Sequence, residues 1–367
     1  MGNEHHDVVI IGTSPLAITE AVWQKSKGKS VINIDDKETA GGAWTTIKHK
    51  GIPEVEIGCH IWEVEKRATD FLETFYGLNL VPLKPQPRLL KKGMSIPYDW
   101  KMNLMTSKYI VSKTARFKFN ELKAGMTSPA RTFSLVPRKY LYPKGGANEL
   151  HEKVMDKVQS EELDISLNTE LSSVKLTSKQ VNLKLKNGDQ LTCEKLVLTS
   201  LSSIEKIEFE DESSISPETK QVDYIHVHLL METGIPKAFS YERWMDDEYI
   251  HRVSDMTSQV SDKLESNQKL LCVGIHAKKH QVSSHETLLE EIIQRLKNRK
   301  LIEQKATLIH HGFNVFPSYY NPPGKLSEIE KRSNGKIVVL RSTSFTYSFF
   351  NQADRYVDLI TSDTPQS

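Results

Sequence analysis

Cysteine is scarce in this sequence. The 367 residues include three cysteines, Cys59, Cys193 and Cys272, which are far apart and odd in number. This spacing argues against a disulfide framework and against metal sites of the CxxC type. Residues 1–7 are polar and lack the basic and apolar regions of a secretory signal. We therefore expect a cytoplasmic protein with no bound metal.

Long apolar runs and an excess of one charge are also missing. No uncharged apolar window of about 18 residues could span a bilayer, so we expect no transmembrane segment. Lys and Arg number 49 against 47 Asp and Glu, a net charge of +2, whereas nucleic-acid binding usually requires a concentrated basic excess. The sequence has no Gly-x-Ser-x-Gly elbow, P-loop or HExxH motif. Acyl transfer, NTP hydrolysis and zinc hydrolysis therefore lack support, and we expect no nucleic-acid partner.

A strand, helix and strand are predicted near the start of the chain. Residues 8–11 form a buried apolar run, residues 16–24 have helical composition, and residues 30–34 are mostly β-branched. Short strands return between residues 163 and 198, with Asn187-Gly188 as a hairpin turn. A last strand over 336–340 and a helix over 351–359 follow an amphipathic helix at 285–296.

These patterns predict an α/β protein in which a discontinuous nucleotide domain of the Rossmann type is interrupted by a mixed α+β substrate domain. Residues 60–135 and 222–316 lack the regular alternation of strand and helix that a continuing Rossmann sheet needs. We assign residues 1–60, 136–221 and 330–367 to the nucleotide domain. Residues 61–135 and 222–329 form the predicted substrate side.

The turn after the first strand carries a dinucleotide fingerprint. Such a motif needs glycine for a tight turn, for close approach to a pyrophosphate and for helix packing. Gly12, Ser14 and Ala17 occupy these three positions. Ser14 therefore puts a side chain where the backbone should meet phosphate. An acidic residue at the end of the second strand should bind the ribose, and we favour Asp35 over Asp36.

The stretch after that strand resembles an FAD-binding superfamily. Residues 35–42, Asp-Asp-Lys-Glu-Thr-Ala-Gly-Gly, are similar to its pattern acid-x-Arg-x-x-x-Gly-Gly, with Lys37 in place of Arg. The superfamily includes amine oxidases, protoporphyrinogen oxidases and UDP-galactopyranose mutases. This resemblance implies FAD as cofactor, with Gly41 and Gly42 close to its flavin side. The alternative is that the acidic pair and the glycine pair only form a turn after a strand.

Later segments extend the resemblance along the chain. Residues 58–62 resemble a Gly-x-His-Ile-Phe stretch of the mutases, which implies that His60 lies near the flavin ring. Residues 142–146 are similar to the Pro-x-Gly-Gly helix entry of the oxidases. The block at 165–171 implies that the backbone of Leu171 meets adenine. The terminal segment, with Arg341 and Asp354, resembles a mutase motif in which Leu340 stands for glycine.

Three residues are candidates for catalysis. His60 has a side chain that can exchange protons near neutral pH beside a flavin. Arg252 resembles a substrate-side residue and could bind a carboxylate or phosphate by a bidentate fork. Arg341 would offset developing negative charge. The alternatives are a buried hydrogen-bonded histidine, a surface ion pair and an ordinary salt bridge.

Two functional hypotheses follow. The first is an FAD-dependent oxidoreductase or redox-neutral flavin isomerase that acts on a small polar or nucleotide-activated substrate. The second rests on residues 9–13 and 41–44, including Trp44, which resemble Rab escort proteins and Rab GDP-dissociation inhibitors. Those proteins use this fold without flavin. The second hypothesis is therefore a binding protein with a vestigial cofactor site and an exposed face that recruits a protein or lipid partner.

Overall fold

The structure of this chain is a computed structural model that describes most of its residues. The described residues are 4–57, 62–63, 66–83, 88–91, 94–97, 107–108, 110–119, 140–199, 204–217, 220–234, 239–277, 284–320, 323–340, 353–356 and 358–361.

The chain alternates strands with a smaller number of helices. The helices with defined bounds are α1 (Pro15–Lys25), α2 (Lys66–Tyr76), α3 (Ala147–Ser160), α4 (His285–Asn298), α5 (Pro323–Arg332) and α6 (Asp358–Thr361). The strands are β1 (Glu4–Ile11), β2 (Val31–Ile34), β3 (Thr46–Ile47), β4 (Val55–Glu56), β5 (Trp62–Glu63), β6 (Leu80–Leu83), β7 (Arg88–Lys91), β8 (Met94–Pro97), β9 (Tyr140–Pro143), β10 (Asp164–Ser166), β11 (Leu171–Leu176), β12 (Val181–Leu185), β13 (Gln190–Leu198), β14 (Lys206–Glu208), β15 (Ser214–Ile215), β16 (Lys220–Glu232), β17 (Tyr241–Trp244), β18 (Ile250–Asp255), β19 (Gln268–His276), β20 (Thr307–Tyr320) and β21 (Ile337–Val339).

A nine-stranded sheet contains the predicted strand, helix and strand. β1 pairs in parallel with β2 on one side and with β13 on the other, and β10 extends the parallel set beyond β2. Such strands are buried on both faces, which explains the continuous apolar run Val8 to Ile11. β21 also pairs in parallel with β13. The predicted α/β class is therefore confirmed, and these parallel strands are consistent with a Rossmann-type sheet.

The same sheet continues as a mostly antiparallel extension. β13, β12 and β11 pair antiparallel, β14 then pairs in parallel with β11, and β15 pairs antiparallel with β14. Gly188 has a φ of +91° in the turn between β12 and β13, so the predicted hairpin is present. The predicted strand over residues 163–171 is wrong in part, because β10 ends at Ser166 and the chain turns at Asn168, whose φ is +52°. Hydrogen bonds to the segment after β2 hold this turn in place.

A seven-stranded sheet has the order β20, β16, β19, β18, β17, β7 and β8. α4 packs its apolar stripe, which includes Leu288 and Ile292, on one face of this sheet. Ser284 caps the helix by accepting a hydrogen bond from the backbone N–H of Thr287 at 3.2 Å. The opposite face is partly polar, with the buried His226 and His228 beside an apolar patch that includes Leu230 and Leu270. Loop residues 45–57 lie against this polar face.

Helices α1, α2 and α3 share a core on one side of the nine-stranded sheet, with Phe71, Leu72 and Val154 among its buried members. The predicted helix at 351–359 is described in two parts, a 3-10 helix at Ala353–Tyr356 and α6 at Asp358–Thr361. Of the described helices, none is long and apolar enough to cross a membrane.

Candidate dinucleotide site and histidine face

The turn after β1 requires glycine. Gly12 has a φ of +103°, in the region that side chains rarely adopt, and an added Cβ would lie 2.3 Å from Oγ1 of Thr199. That hydroxyl donates to the carbonyl of Ile11 at 2.5 Å, so it cannot easily move away. The first position of the fingerprint is therefore fixed by sterics. Ala17, at the third position, is fully buried in the α1 packing.

Ser14 acts as the N-cap of α1. Its Oγ accepts a hydrogen bond from the backbone N–H of Ala17 at 3.4 Å. Pro15 occupies the first helical position, where its missing N–H has no cost. The side chain that replaces the second glycine is thus bonded to the first turn of its own helix. It therefore uses one of the backbone N–H groups at the N-terminus of α1, the end of a helix where phosphates commonly bind.

Asp35, at the end of β2, is almost buried. Oγ1 of Thr13 donates to its Oδ2 at 2.6 Å, and the backbone N–H of Lys37 donates to its Oδ1 at 3.1 Å. Burial raises the pKa of the Asp35 carboxyl, although these two hydrogen bonds act in the opposite direction. A carboxylate has about four acceptor positions, so two stay available for ribose hydroxyls. Asp36, by contrast, is exposed and pairs with Nζ of Lys37 at 3.1 Å.

Thr13 joins the three segments of the site. Besides its bond to Asp35, its Oγ1 and its carbonyl both accept from the backbone N–H of Gly41, each at 3.1 Å. Gly41 and Gly42 have φ values of +114° and +59°. An added Cβ on Gly42 would lie 3.4 Å from Cβ of Ser14. Sequence reasoning missed Thr13, although a small hydroxyl beside the first glycine was a signal for it.

The predicted adenine segment lies beside the acidic residue. The backbone N–H of Asp35 donates to the carbonyl of Ser166 at 3.0 Å, and the N–H of Thr169 donates to the carbonyl of Asp35 at 2.8 Å. Asn168 bonds Lys37 in the same way at 3.0 Å. Leu171 follows at the start of β11 with its side chain in the core. The structure therefore brings these residues together with Asp35.

The residues present fit a dinucleotide cofactor. Two buried polar atoms in α3 have no partner in the described part of the chain, Nδ1 of His151 and Oδ1 of Asn148. Nδ1 of His151 lies 3.0 Å from where a Cβ of Gly41 would be. Both side chains lie in the first turns of α3, after the predicted Pro-x-Gly-Gly entry. Polar atoms of this kind need a partner, and a bound polar group at Gly41 would provide one.

Five predicted residues remain, namely Trp44, His60, Arg252, Arg341 and Asp354. Trp44 ends the 3-10 helix Gly42–Trp44 and packs partly buried against the α1 core. His60 and Arg341 lie outside the described residues. Asp354 belongs to the 3-10 helix Ala353–Tyr356, but its side chain is also outside them. Arg252 lies on β18 of the seven-stranded sheet, not in the nine-stranded sheet.

The polar face of the seven-stranded sheet is lined with histidines that sequence reasoning missed. His226 and His228 alternate along β16, which places both on one face, and this alternation was the available signal. The ring of His251 lies 4.5 Å from Tyr224 and 5.0 Å from His276 between centroids. These residues, together with the other described side chains, form no group arranged to hold a metal ion.

Loop residues 45–57 connect this face to the dinucleotide site. A ring nitrogen of His226 bonds the carbonyl of Ile57 at 2.7 Å, and the ring centroid of His49 lies 5.3 Å from that of His228. The loop starts directly after the 3-10 helix that contains Gly42. We call the side chains of His49, Tyr224, His226, His228, His251 and His276 the histidine face. This face is therefore one short loop away from the glycine pair.

Comparison with solved structures shows the fold over nearly the whole chain. Reduced UDP-galactopyranose mutase superposes with a TM-score of 0.70 at 14% identity, covering 98% of this chain and 96% of that chain. A double mutant of putrescine oxidase, from a redesign of cofactor binding, gives 0.65 at 14% identity with 98% and 100% covered. A putative protoporphyrinogen oxidase from Exiguobacterium sp. 255-15 gives 0.63 at 14% identity with 99% of each covered.

Comparison with curated protein sequences returned no match. The sequence profile described as "Flavin containing amine oxidoreductase" matches residues 54–259, more than half of the chain. This range begins after the glycine pair, so the match is independent of the fingerprint residues. The fold and the profile agree with the predicted superfamily. The chain therefore belongs to the flavin containing amine oxidoreductase family, and FAD is the cofactor that this membership assigns to it.

Proposed function

We propose that this protein is an FAD-dependent enzyme that holds the adenosine half of the cofactor at Asp35 and acts on a small polar molecule. The observation that carries the proposal is the hydrogen-bonded junction of Thr13, Asp35 and Gly41, which joins the three predicted cofactor segments. The reaction is an oxidation or a redox-neutral isomerisation. FAD supplies the electron chemistry when it is bound.

Each cofactor residue has a defined task in this proposal. The free acceptor positions of Asp35 receive the ribose hydroxyls, and the backbone of Leu171 meets the adenine. The N-terminus of α1, with its positive partial charge, faces the pyrophosphate beside Gly12 and Ser14. Gly41 and Gly42 leave room for the flavin side of the cofactor. His151 is added to the set because its unpartnered Nδ1 lies against Gly41.

Three residues stay proposals for the reaction itself. His60 would exchange a proton with the substrate, and Arg341 would offset negative charge that develops on it. Arg252 would bind an anionic group of the substrate. Support for Arg252 comes from its register, because it lies directly opposite Gly274, which in turn lies opposite His226. Directly opposite residues share a face of the sheet, so Arg252 lies on the side of the histidine face.

Flavin absorbance and binding test the proposal. Purified protein should show a flavin band near about 450 nm or should acquire one with added FAD. Asp35→Ala should weaken FAD binding by about tenfold or more, because it removes hydrogen bonds to a charged acceptor. Asp36→Ala is the matched control, since that neighbouring carboxylate is exposed and forms an ion pair with Lys37 at 3.1 Å. Titration of the apoprotein with FAD, followed by flavin fluorescence, measures both.

Two outcomes would contradict the proposal. Colourless protein that ignores added FAD would favour the binding protein with a vestigial site. Equal affinity of wild type and Asp35→Ala, with circular dichroism showing both folded, would remove the ribose contact from Asp35.

A further inference from the structure

The histidine face contains buried polar atoms that no described residue satisfies. His228 is fully buried, and neither its Nδ1 nor its Nε2 has a hydrogen-bond partner in the described chain. The same holds for Nε2 of His49, Nε2 of His251 and Nδ2 of Asn314. A buried polar atom without a hydrogen-bond partner is costly in free energy. Several such atoms on one side of a sheet are what a bound polar ligand would satisfy.

Strand register places these atoms together. On β20 and β16, Asn314 lies opposite His226 and Gly312 lies opposite His228. On β19, Gly274 lies on the other side of His226. Neighbouring strands are about 4.8 Å apart, so these residues form adjacent rows on one face.

Two glycines in the strands leave the space that histidine rings occupy. A Cβ on Gly312 would lie 2.2 Å from the ring of His49, and a Cβ on Gly274 would lie 2.5 Å from Nε2 of His251. Glycine weakens a strand interior and often marks a place where another group approaches closely. Here the approaching groups are imidazole rings with unpartnered nitrogens. The glycines therefore make this polar surface possible.

Arginines lie close to His251 on this face. Burial lowers the pKa of His251 to about 2, and the strongest further effects come from Arg252, His276, His226 and Arg243, which lower it as well. Burial lowers the pKa of His49, and His228 and His311 act in the same direction. Each neutral imidazole has one N–H donor and one acceptor nitrogen, so the positive charge near these rings comes from the arginines.

We infer that the histidine face binds an oxyanion, the phosphate or carboxylate group of the substrate, through His228, His49 and His251. An oxyanion accepts the N–H donors of the rings and is attracted by Arg252, whereas the positive charge of an ammonium group is repelled by the same arginine. The inference therefore argues against an amine as the substrate of this protein, although the name of the family suggests one. One part of the inference rests on the proposed function, namely that the oxyanion is a group of the enzyme's substrate.

Calorimetric titration of the FAD-loaded protein tests the inference, with sodium phosphate, sodium acetate and butylammonium chloride as probes. We expect heat of binding with phosphate or acetate, and the stronger of the two identifies the class of oxyanion. Butylammonium should give none. His228→Leu and His49→Gln should each weaken oxyanion binding by about tenfold or more. His49 is in a loop, so its variant should fold even if His228→Leu does not.

His285→Gln is the matched control, because His285 is exposed, starts α4 on the other face of the same sheet, and stacks on Phe313 with centroids 4.4 Å apart. It should leave oxyanion binding unchanged. Binding of butylammonium alone, equal oxyanion affinity in all variants, or no binding of any probe would each overturn the inference. Failure of the proposed function looks different. The protein could fail to bind FAD but still bind phosphate or acetate, and lose that binding on His228→Leu. That result would support the oxyanion site and contradict the proposed flavin enzyme.

Discussion

At the scale of single residues, Asp35 combines a cost in stability with a role in binding. Its carboxyl is almost buried, and burial raises its pKa above the ordinary value of 3.8. An acid with a raised pKa binds its proton more tightly in the folded state than in the unfolded state. Folding is therefore favoured most at low pH, and this contribution is lost as pH rises through the folded pKa.

We predict that Asp35→Asn makes the apoprotein as stable as wild type, or more stable, at pH 7. The amide cannot ionise, so its burial does not become more costly as pH rises. Below the ordinary carboxyl pKa of 3.8 this advantage should disappear, because Asp35 is then protonated in both states. Urea unfolding of both proteins across this pH range measures the difference. A wild type that is clearly more stable at pH 7 would mean that Thr13 and Lys37 fully compensate the buried charge.

Ser14 also departs from the family pattern, because its position in the fingerprint is normally glycine. We predict that Ser14→Gly tightens FAD binding several-fold, since it frees the N–H of Ala17 and removes a side chain from the phosphate side of the turn. Ser14→Ala should lose about 1 kcal/mol of stability with the cap, against a few tenths for glycine. Fluorescence titration with FAD and urea unfolding report these separately. Weaker binding in both variants would instead make the hydroxyl a phosphate donor.

At the scale of secondary-structure elements, a buried ion pair fastens the end of the chain to α1. Glu20 is fully buried, and Nε and Nη2 of Arg355 donate to its two oxygens at 3.0 and 2.8 Å. The hydroxyl of Tyr356 donates to Glu20 at 2.8 Å, and Gln24 adds a further bond at 2.7 Å. The 3-10 helix Ala353–Tyr356 is thereby held beside the helix that starts at the fingerprint.

We predict that Arg355→Ala lowers the free energy of unfolding by about 3 kcal/mol, because it leaves a buried carboxylate without its cation. Lys206→Ala, which breaks an exposed pair with Glu208, is the control and should cost about 0 to 1 kcal/mol. Urea unfolding of the two variants gives the comparison. Similar losses in both would show that Tyr356 and Gln24 satisfy Glu20 without the arginine. FAD affinity of Arg355→Ala would show whether α1 shifts at its N-terminus.

At the scale of the whole molecule, function depends on how two sheets meet. The nine-stranded sheet carries the predicted cofactor residues and the seven-stranded sheet carries the histidine face. Loop residues 45–57 join them, since this loop begins at the glycine pair and ends with Ile57 bonded to His226. A ligand at the histidine face would therefore contact the segment that follows the cofactor residues. The domain boundaries assigned from sequence stay a prediction.

The sequence by itself determined the local parts of this protein. β1, α1 and β2 follow each other within 31 residues, and their apolar run, cap and β-branched strand are set by neighbouring residues. The steric demand at Gly12 and the turn at Gly188 are equally local. Family resemblance then added FAD, because its motifs are short and ordered along the chain.

Only the tertiary structure decided which distant segments meet. β13 lies beside β1 although about 180 residues separate them, and no periodicity in either strand names its partner. Thr13 became central because its hydroxyl reaches both Asp35 and Gly41 once three loops converge. The histidine face needed the register of four strands and a loop from the other sheet. Each of its histidines, taken alone in the sequence, could equally be an ordinary core residue, because a site of this kind exists only where the strands align.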